Sequence, residues 1–264
     1  MSMVPLYYRE YGDAAPSLIL LHGLFGSSAN WSSIARELSG QFRVIVPDLR
    51  NHGRSLHAEP MDYAVMVEDV QALIDTLKLD RPLVVGHSMG GKVAMRLALE
   101  SPGVVAGIGV VDIAPVDYGH DFSSVFAGFE AVDLARLSDR AEANRQMAAF
   151  VPDAAVRAFL LQNLVHERDG WHWRLNLPLL RVSIGTVTAF EVPPGAHYER
   201  PAHFIFGTRS DYVQKAYWPT IQTLFPGAVF CPVEGAGHWV YAERRDTFLD
   251  CLKDLLDAHR DAVP

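Results

Sequence analysis

The residues with the clearest chemical signature form the segment GHSMG at positions 86–90, where a serine stands among glycines. The segment follows the short apolar run Leu83–Val85 and precedes a helical pattern that begins near Gly91. In this strand–turn–helix setting, the spacing is typical of a nucleophile elbow, a strained turn in which larger neighbours would clash with the serine. The sequence therefore predicts that Ser88 is a nucleophile that attacks an ester-like carbonyl carbon.

Two backbone N–H groups are predicted to assist this nucleophile. A glycine-bounded loop, HGLFG at positions 22–26, follows the apolar run Ser17–Leu21. In sites built on such an elbow, the loop after an early strand supplies one N–H group of an oxyanion hole, and the residue after the nucleophile supplies the other. We expect these groups to be those of Leu24 and Met89, with Phe25 as the alternative to Leu24. They would stabilise the negative charge that develops on the carbonyl oxygen.

The predicted general base lies near the other end of the chain. His238 stands in the segment GAGHW at positions 235–239, directly after the last predicted strand. An order of serine, acid and then histidine along the chain is typical of sites built on this elbow. We expect His238 to take the Ser88 proton and to return it to the leaving group.

Two aspartates are candidates for the acid that orients His238. Asp211 lies in the loop after the predicted strand at 203–206, a common place for this acid, and Asp112 follows the predicted strand at 104–111. Both loops lie at the C-terminal edge of the predicted sheet, where ligands bind in open α/β folds. Hydrophobic periodicity does not choose between them, so both aspartates remain candidates at this point.

The elements that must position these residues alternate regularly along the chain. Short apolar runs predict buried strands, and between them apolar residues recur at helical spacing, as in Met66, Val70, Leu73 and Leu77. Continuous rather than alternating apolarity is typical of strands that are covered on both faces. The pattern predicts an α/β fold with a mostly parallel twisted sheet and helices on both faces. The predicted strands are 17–21, 42–46, 83–85, 104–111, 203–206 and 228–230.

The alternation of strands and helices breaks between residues 115 and 201. This interval contains two helical stretches, at 131–151 and 153–165. We interpret residues 115–201 as a helical cap inserted into a core formed by residues 1–114 and 202–264, because a structureless loop of that length is uncommon in a compact domain. Aromatic residues of the cap are expected either to line an acyl pocket or to pack the cap onto the core. They are Phe122, Phe126, Phe129, Trp171 and Trp173.

Composition narrows the classes of partner. The chain has 23 Lys and Arg against 31 Asp and Glu, and it contains no block of basic residues. A net charge of −8 and a pI near 5.7 argue against a nucleic-acid partner, because phosphate binding needs a basic surface. Apolar runs are too short for a membrane span, and the first residues do not resemble a secretory signal. A cytoplasmic location is therefore expected.

Cysteine and histidine usage predicts neither a disulfide framework nor a metal site. The chain contains two cysteines, Cys231 and Cys251, which we expect to be buried thiols in a reducing compartment. Neither lies at a metal-ligand spacing from a histidine. Nucleophilic catalysis by a serine also requires no cofactor, so the expected partner is a small-molecule ester substrate. The oligomeric state is left open by the sequence.

Four longer motifs resemble those of the YbfF-type esterases of the α/β-hydrolase superfamily. They are GHSMGGK at 86–92, DLRNHGRS at 48–55, DIAPVDY at 112–118 and GAGHWV at 235–240. The third motif is the most specific, since α/β-hydrolases in general lack it. The resemblance extends over essentially the whole chain and is weakest in the cap.

The resemblance implies a triad of Ser88, His238 and Asp112, with the acid after the strand that is the sixth in the family's fold and is predicted here at 104–111. Members of the group have a serine where most other relatives place the acid, and Ser210 matches that position here. Asp211 therefore stands one residue away from it. The resemblance also implies hydrolysis of short-to-medium acyl esters, with acyl-CoA thioesters as a further substrate class.

Three aromatic residues near the predicted catalytic groups are candidates for the substrate pocket, namely Phe25, Tyr212 and Trp239. The chemistry of the site has alternatives at this point. Hydrolysis of C–C bonds and formation of peracids use the same elbow and triad, so these residues do not separate them from ester hydrolysis. A protein that only binds ligands on the same fold is a further alternative, against which the complete set of catalytic residues argues.

Overall fold

The structure is a computed structural model that describes residues 3–192 and 194–261. The strands within these residues are β1 (Tyr8–Tyr11), β2 (Ser17–Leu21), β3 (Arg43–Pro47), β4 (Leu83–His87), β5 (Gly107–Val111), β6 (Leu164–Glu167), β7 (Gly170–Trp173), β8 (Ala202–Gly207) and β9 (Ala228–Val233). One sheet has the order β1-β3-β2-β4-β5-β8-β9, and β6 and β7 form a separate hairpin. The large sheet is parallel apart from β1, which pairs antiparallel with β3. This architecture confirms the predicted fold class.

The central strands are buried on both faces, as their continuous apolar runs predicted. Every residue of β4 and of β5 is buried. Along β2, Leu18 and Leu20 belong to one hydrophobic core, whereas Ile19 and Leu21 belong to the other. Successive side chains of a strand point to opposite faces of the sheet, so each face carries a core of its own.

Helices cover both of these faces. They are α1 (Ser32–Leu38), α2 (Tyr63–Leu77), α3 (Met89–Glu100), α4 (Ser123–Glu130), α5 (Arg140–Met147), α6 (Ala154–Leu160), α7 (Leu177–Val182), α8 (Ile184–Thr188), α9 (Trp218–Leu224), α10 (Val240–Glu243) and α11 (Arg245–Asp261). Ile34 of α1 and Phe248 of α11 belong to the core around Leu18, whereas Met66 of α2 and Val93 of α3 belong to the opposite core. In the part of the chain that the structure describes, no helix is both long and apolar enough to cross a membrane.

The residues predicted as a cap lie between β5 and β8, which are neighbours in the sheet. Helices α4 to α8 and the β6–β7 hairpin form this insertion. Its contact with the core includes an aromatic cluster, since the ring centroid of Phe25 in the core lies 5.5 Å from those of both Phe126 and Phe129. Phe129 in turn meets Trp173 edge-on at 4.9 Å. These side chains therefore pack the cap onto the core.

The helices predicted within the cap are longer than those observed. The stretch 131–151 forms only α5, which begins where the Asp139 carboxylate accepts a hydrogen bond from the Glu142 N–H at 2.7 Å. The stretch 153–165 forms α6, a 3-10 turn at Leu161–Asn163 and then the start of β6. The β6–β7 hairpin was not predicted, because strands of four residues are too short to show a period.

In the core, most predicted strands are shifted, shortened or extended by one to three residues at their ends, and one strand was not predicted. β5 begins at Gly107, so residues 104–106, which were predicted to start this strand, precede it. The edge strand β1 was not predicted, because its sequence YREY is only partly apolar and its residues are half-buried or exposed. An edge strand with one partner lacks the continuous apolar signal of a central strand.

The two cysteines form a disulfide, which corrects the expectation of two buried thiols. Cys231 lies on β9 and Cys251 on α11, and their Cα atoms are 5.9 Å apart. Both residues are half-buried rather than buried. α11 packs against β8 and β9, and this packing brings together two cysteines that are 20 residues apart in the sequence.

Candidate active site

Ser88 lies at the turn between β4 and α3, in the strained backbone conformation that the elbow motif predicts. Its φ and ψ angles are 52° and −116°, a combination that residues with a side chain rarely adopt. Its N–H donates to the Val111 carbonyl oxygen at 2.9 Å, which anchors the turn to β5. A Cβ atom on Gly86 would lie 2.1 Å from the Gly90 carbonyl oxygen. The turn can therefore close only with glycine at position 86.

A buried carboxylate contacts the predicted base. The His238 Nδ1 atom lies 2.7 Å from the Asp112 Oδ2 atom; the Asp112 side chain is 0% exposed and that of His238 is 21% exposed. Asp112 directly follows β5 and has a φ of 52°. The Gly207 N–H donates to its Oδ1 atom at 3.0 Å, and the Ser210 hydroxyl donates to Oδ2 at 2.5 Å. These hydrogen bonds compensate the burial of the carboxylate and fix its orientation toward His238.

Asp211, the other candidate acid, is exposed in the loop after β8. Its carbonyl oxygen accepts a hydrogen bond from the Gln214 side chain at 3.2 Å. Adjacent residues of this loop thus have different surroundings, because Ser210 contacts Asp112 while Asp211 is exposed to solvent. Of the two candidate acids, the structure brings Asp112 together with His238.

Neighbouring rings hold the His238 imidazole in place. The Tyr212 ring stacks on it, with centroids 4.1 Å apart and planes inclined by 21°. The His87 ring lies 4.5 Å from it, and the His87 Nε2 atom lies 2.9 Å from the His238 carbonyl oxygen. Burial lowers the pKa of His87, and the neighbouring His238 lowers it further. His87 is therefore neutral, and its Nε2–H donates to the loop that carries His238.

The predicted oxyanion-hole donors lie beside Ser88. A Cβ atom on Gly23 would lie only 3.2 Å from the Ser88 Cβ atom, so the loop after β2 runs directly against Ser88. The Phe25 N–H, the alternative donor, is already donated to a histidine of another loop. Leu24 and Met89 both line the cavity that contains Ser88. Met89 is the first residue of α3, a position at which an N–H group has no acceptor within the helix.

Two buried histidines join the loop after β2, which contains Leu24 and Phe25, to the loop after β3. The His22 Nε2 atom accepts the Leu49 N–H at 2.9 Å, and the His52 Nε2 atom accepts the Phe25 N–H at 3.2 Å. Burial lowers the pKa of both imidazoles, to about 3 for His52. Both rings are therefore neutral and can accept these hydrogen bonds at Nε2. The DLRNHGRS motif thus holds the loop after β2 in place through these two hydrogen bonds.

A small cavity opens beside Ser88 under the cap. Of the three predicted pocket residues, Tyr212 lines it. Phe25 does not, because its side chain packs against the aromatic residues of the cap. Trp239 instead lines a wider groove of about 1610 Å³ along α6, together with His238. Of the five cap aromatics considered above, Phe122 lines the cavity.

Lys92, a residue of this cavity, was not singled out from the sequence although it ends the GHSMGGK motif. It lies one turn after Ser88 in α3 and is 1% exposed. Its ammonium group donates to the carbonyl oxygens of Val116 at 3.0 Å, Thr188 at 2.6 Å and Ala189 at 3.0 Å. Burial lowers the pKa of Lys92 to about 7. Because Val116 lies at the start of the cap and Thr188 and Ala189 lie in its last part, one side chain ties both parts of the cap to α3.

Tyr118, which ends the DIAPVDY motif, connects two loops of the site. Its hydroxyl accepts the Ala114 N–H at 2.8 Å and donates to the Tyr212 carbonyl oxygen at 2.5 Å. The Tyr212 N–H in turn donates to the Ser210 hydroxyl oxygen at 3.3 Å. Tyr118 thereby fixes the loop that presents Ser210 to the acid and Tyr212 to the imidazole. The motif was the available signal, but it did not show which distant loop the tyrosine contacts.

A group of possible metal ligands lies elsewhere, on the β6–β7 hairpin and its turn. Among the described residues, ligand atoms of Glu167, Asp169 and His172 lie within 4.8 Å of one another. Glu167 and Asp169 are exposed, and none of the three lines the cavity beside Ser88. At the carboxyl ends of the central strands the structure instead presents the Ser88 hydroxyl, the His238 imidazole with the Asp112 carboxylate, and backbone N–H groups. This set suits nucleophilic attack on a carbonyl carbon.

The sheet order, the strained serine turn and the carboxylate–imidazole pair at the C-terminal edge of the sheet define an α/β-hydrolase. The chain belongs to this family, since residues 16–244 match the family described as the alpha/beta hydrolase fold. It is 38% identical to the sn-1-specific diacylglycerol lipase ABHD11 of Mus musculus, over 96% of this chain and 85% of the mouse protein. It is 35% identical to Esterase YbfF of Escherichia coli (strain K12), over 91% of this chain and 92% of that protein.

Solved structures agree with these relatives. A marine microorganism esterase superposes with a TM-score of 0.90 at 34% identity, over 96% of this chain and 98% of that one. An E-2-(acetamidomethylene)succinate hydrolase shares the fold with a TM-score of 0.81 at 22% identity. The relatives confirm the resemblance to YbfF-type esterases and identify the chain as a hydrolase of the esterase and lipase group.

Proposed function

We propose that the chain is a carboxylic ester hydrolase that works through a triad of Ser88, His238 and Asp112. The observation that carries the proposal is the 2.7 Å contact between His238 Nδ1 and the buried Asp112 carboxylate, at the same sheet edge as the serine elbow. A carboxylate at Nδ1 keeps the proton on that nitrogen. The Nε2 atom is then left to accept the proton of the nucleophile.

The proposed reaction proceeds through a covalent acyl-enzyme. The Ser88 oxygen attacks the carbonyl carbon while its proton passes to His238, and the Leu24 and Met89 N–H groups stabilise the negative carbonyl oxygen. His238 then donates the proton to the leaving alcohol as the carbon–oxygen bond breaks. Water attacks the acyl-enzyme in the same way, gives one proton to His238, and releases the carboxylic acid as that proton returns to Ser88.

Short-to-medium acyl esters are the proposed substrates. The cavity beside Ser88 is small, which favours shorter acyl chains, and much of its lining is apolar or aromatic. The mouse relative is named a diacylglycerol lipase and the bacterial one an esterase. Both names refer to an ester bond. Acyl-CoA thioesters present the same acyl carbonyl and form the second substrate class of the proposal.

Covalent labelling and an ester panel test the proposal together. We expect a fluorophosphonate probe to label the wild type and Ser124→Ala, a control at an exposed serine of α4, and both to hydrolyse p-nitrophenyl esters. Ser88→Ala should lose the label and about 10⁴-fold or more in kcat. Labelling of Ser88→Ala at the wild-type rate would contradict the assigned nucleophile. A wild type that is neither labelled nor active would contradict serine-based hydrolysis.

The same triad can also cleave a C–C bond or form a peracid. Assays for both reactions, and for acyl-CoA hydrolysis, belong on the same protein preparations. A kcat/KM for C–C cleavage or peracid formation above that for every ester would replace ester hydrolysis as the main activity.

A further inference from the structure

Tyr63 and the last cap helix lie between the cavity beside Ser88 and a cleft on the protein surface. Tyr63, the first residue of α2, lines both the cavity and the cleft. The last cap helix, α8, contributes Val187 to the cavity and Gly185 to the cleft. The two spaces therefore approach each other from opposite sides of a thin partition in which Tyr63 is the largest side chain.

The contents of the cavity indicate that it receives the acyl chain rather than the leaving group. It contains Ser88 and both proposed oxyanion donors, Leu24 and Met89, which surround the acyl carbonyl in the proposed reaction. His238, which delivers a proton to the leaving group, lines the groove of about 1610 Å³ along α6. The acyl chain and the leaving group thus extend in different directions from the nucleophile.

Contacts from the core and from the cap hold the Tyr63 side chain rigidly. It is 4% exposed, and its hydroxyl donates to the Val187 carbonyl oxygen at 2.6 Å. The Phe190 ring meets it edge-on with centroids 6.4 Å apart, and the Lys92 ammonium nitrogen lies 5.9 Å from its centroid. A ring fixed in this way ends the cavity as a wall rather than as a movable side chain.

We propose that Tyr63 sets the maximum length of the acyl chain, and this proposal rests on the ester hydrolysis proposed above. An acyl chain that starts at Ser88 extends along the cavity until its end meets the Tyr63 ring. Longer chains are excluded because the cleft beyond the ring is closed to them. Removal of the ring joins the cavity to the cleft and gives long chains a path to the surface.

The dependence of kcat/KM on acyl length tests this proposal, with p-nitrophenyl acetate, butyrate, octanoate and dodecanoate as substrates. Each methylene that becomes buried adds about fourfold to kcat/KM. Tyr63→Ala should therefore raise the ratio of kcat/KM for dodecanoate over butyrate by about tenfold or more. Tyr63→Leu, which keeps more apolar volume, should change the ratio in the same direction and carries the test if Tyr63→Ala does not fold. Tyr63→Phe keeps the ring and should keep the wild-type ratio.

A second substitution, which fills the surface cleft with a large side chain from α8, provides a matched control. A Cβ atom on Gly185 would meet no atom within 4 Å, so a tryptophan at this exposed position can occupy the cleft. Gly185→Trp should restore the wild-type length profile when it is combined with Tyr63→Ala. Alone, it should leave the profile unchanged, because the Tyr63 ring already closes the cavity.

A wild-type length profile in a folded Tyr63→Ala or Tyr63→Leu protein, shown by its melting temperature and its acetate hydrolysis, would overturn the proposal. A long-chain gain that Gly185→Trp does not reverse would also overturn it, because the chain would then leave the cavity by another path. Failure of the proposed function has a different signature, since the wild type would then hydrolyse no ester of any length.

Discussion

The proposed catalytic half of the site and its proposed binding half are held together by different kinds of contact. The catalytic half lies at the ends of β4, β5 and β8 and in the loop after β9, where tight turns and short hydrogen bonds fix Ser88, Asp112 and His238. The binding half lies between cap and core, where Tyr63 and Lys92 contact the end of the cap. The first half depends on local backbone geometry, and the second depends on the docking of a separate segment.

Substitutions should therefore separate the two halves. A change in the catalytic half is expected to lower kcat while the free energy of unfolding changes little. A change where the cap contacts the core, as at Lys92, is expected to lower the free energy of unfolding. It should also raise KM more than it lowers kcat. Variants that mix these effects would show that the two halves are coupled.

The largest expected effect is in the catalytic half. Asp112→Asn keeps the size of the side chain but favours the wrong tautomer of His238, so kcat should fall about 10⁴-fold. Asp211→Asn, the matched control at an exposed aspartate, should stay within about twofold of wild type. Hydrolysis of p-nitrophenyl butyrate measures both, with thermal melting to compare their stability. Near-normal activity in Asp112→Asn with an inactive Asp211→Asn would reverse the assignment of the acid.

The next effect is where the cap contacts the core. Lys92→Met leaves the three carbonyl oxygens that the ammonium group binds without their donor, and an unsatisfied buried group costs about 1–3 kcal/mol. We expect a loss of about 3 kcal/mol in the free energy of unfolding, or roughly 6–12 °C in Tm, and a higher KM. The control is Lys215→Met, at an exposed lysine. A folded Lys92→Met protein of wild-type stability would show that the hydrogen bonds of Lys92 do not stabilise the docking of the cap.

A smaller effect concerns the loops that brace the catalytic half. Burial lowers the pKa of His52 to about 3, against about 6.5 in an unfolded chain, so the unfolded chain binds more protons between these pH values. The stability that neutral His52 provides is complete above about pH 6.5 and is lost as the pH falls toward 3. At about pH 5 the loss amounts to about 2 kcal/mol.

His52→Gln should remove much of this pH dependence, because an amide offers an acceptor and a donor without titrating in this range. Denaturant unfolding at about pH 5 and about pH 7.5 measures the difference, with His57→Gln, at an exposed histidine, as the control. Equal pH dependence in the two variants would show that His52 is not held neutral by the fold.

The catalytic half could be predicted from the sequence because its determinants are local. A serine among glycines after an apolar run permits few structures other than the strained turn of Ser88, and His238 stands beside glycine after a strand in the same way. The acid was harder to assign, since Asp112 and Asp211 both follow predicted strands. Which of the two turns inward depends on loop geometry that hydrophobic periodicity does not encode, and the family motif was what favoured Asp112.

The binding half could not be predicted, because its residues meet partners that are distant in the sequence. Tyr63 donates to a carbonyl 124 positions later, and nothing in its own helix marks it as part of a pocket. Phe25, in the loop after β2, was predicted as a pocket residue, yet its side chain packs against the cap. The pairing of Cys231 with Cys251 likewise depends on how α11 docks on β9. Such contacts exist only once the tertiary structure has formed.

The position of the cap also bears on how this enzyme can diversify. The chain leaves the sheet after β5 and returns at β8, and these strands are adjacent, so the hydrogen-bond ladder continues unbroken across the insertion. A segment whose two ends lie side by side can be replaced by one of another length without altering the order of the strands. The segment between β5 and β8 can therefore change in length or sequence while the strands that carry Ser88 and Asp112 keep their places in the sheet.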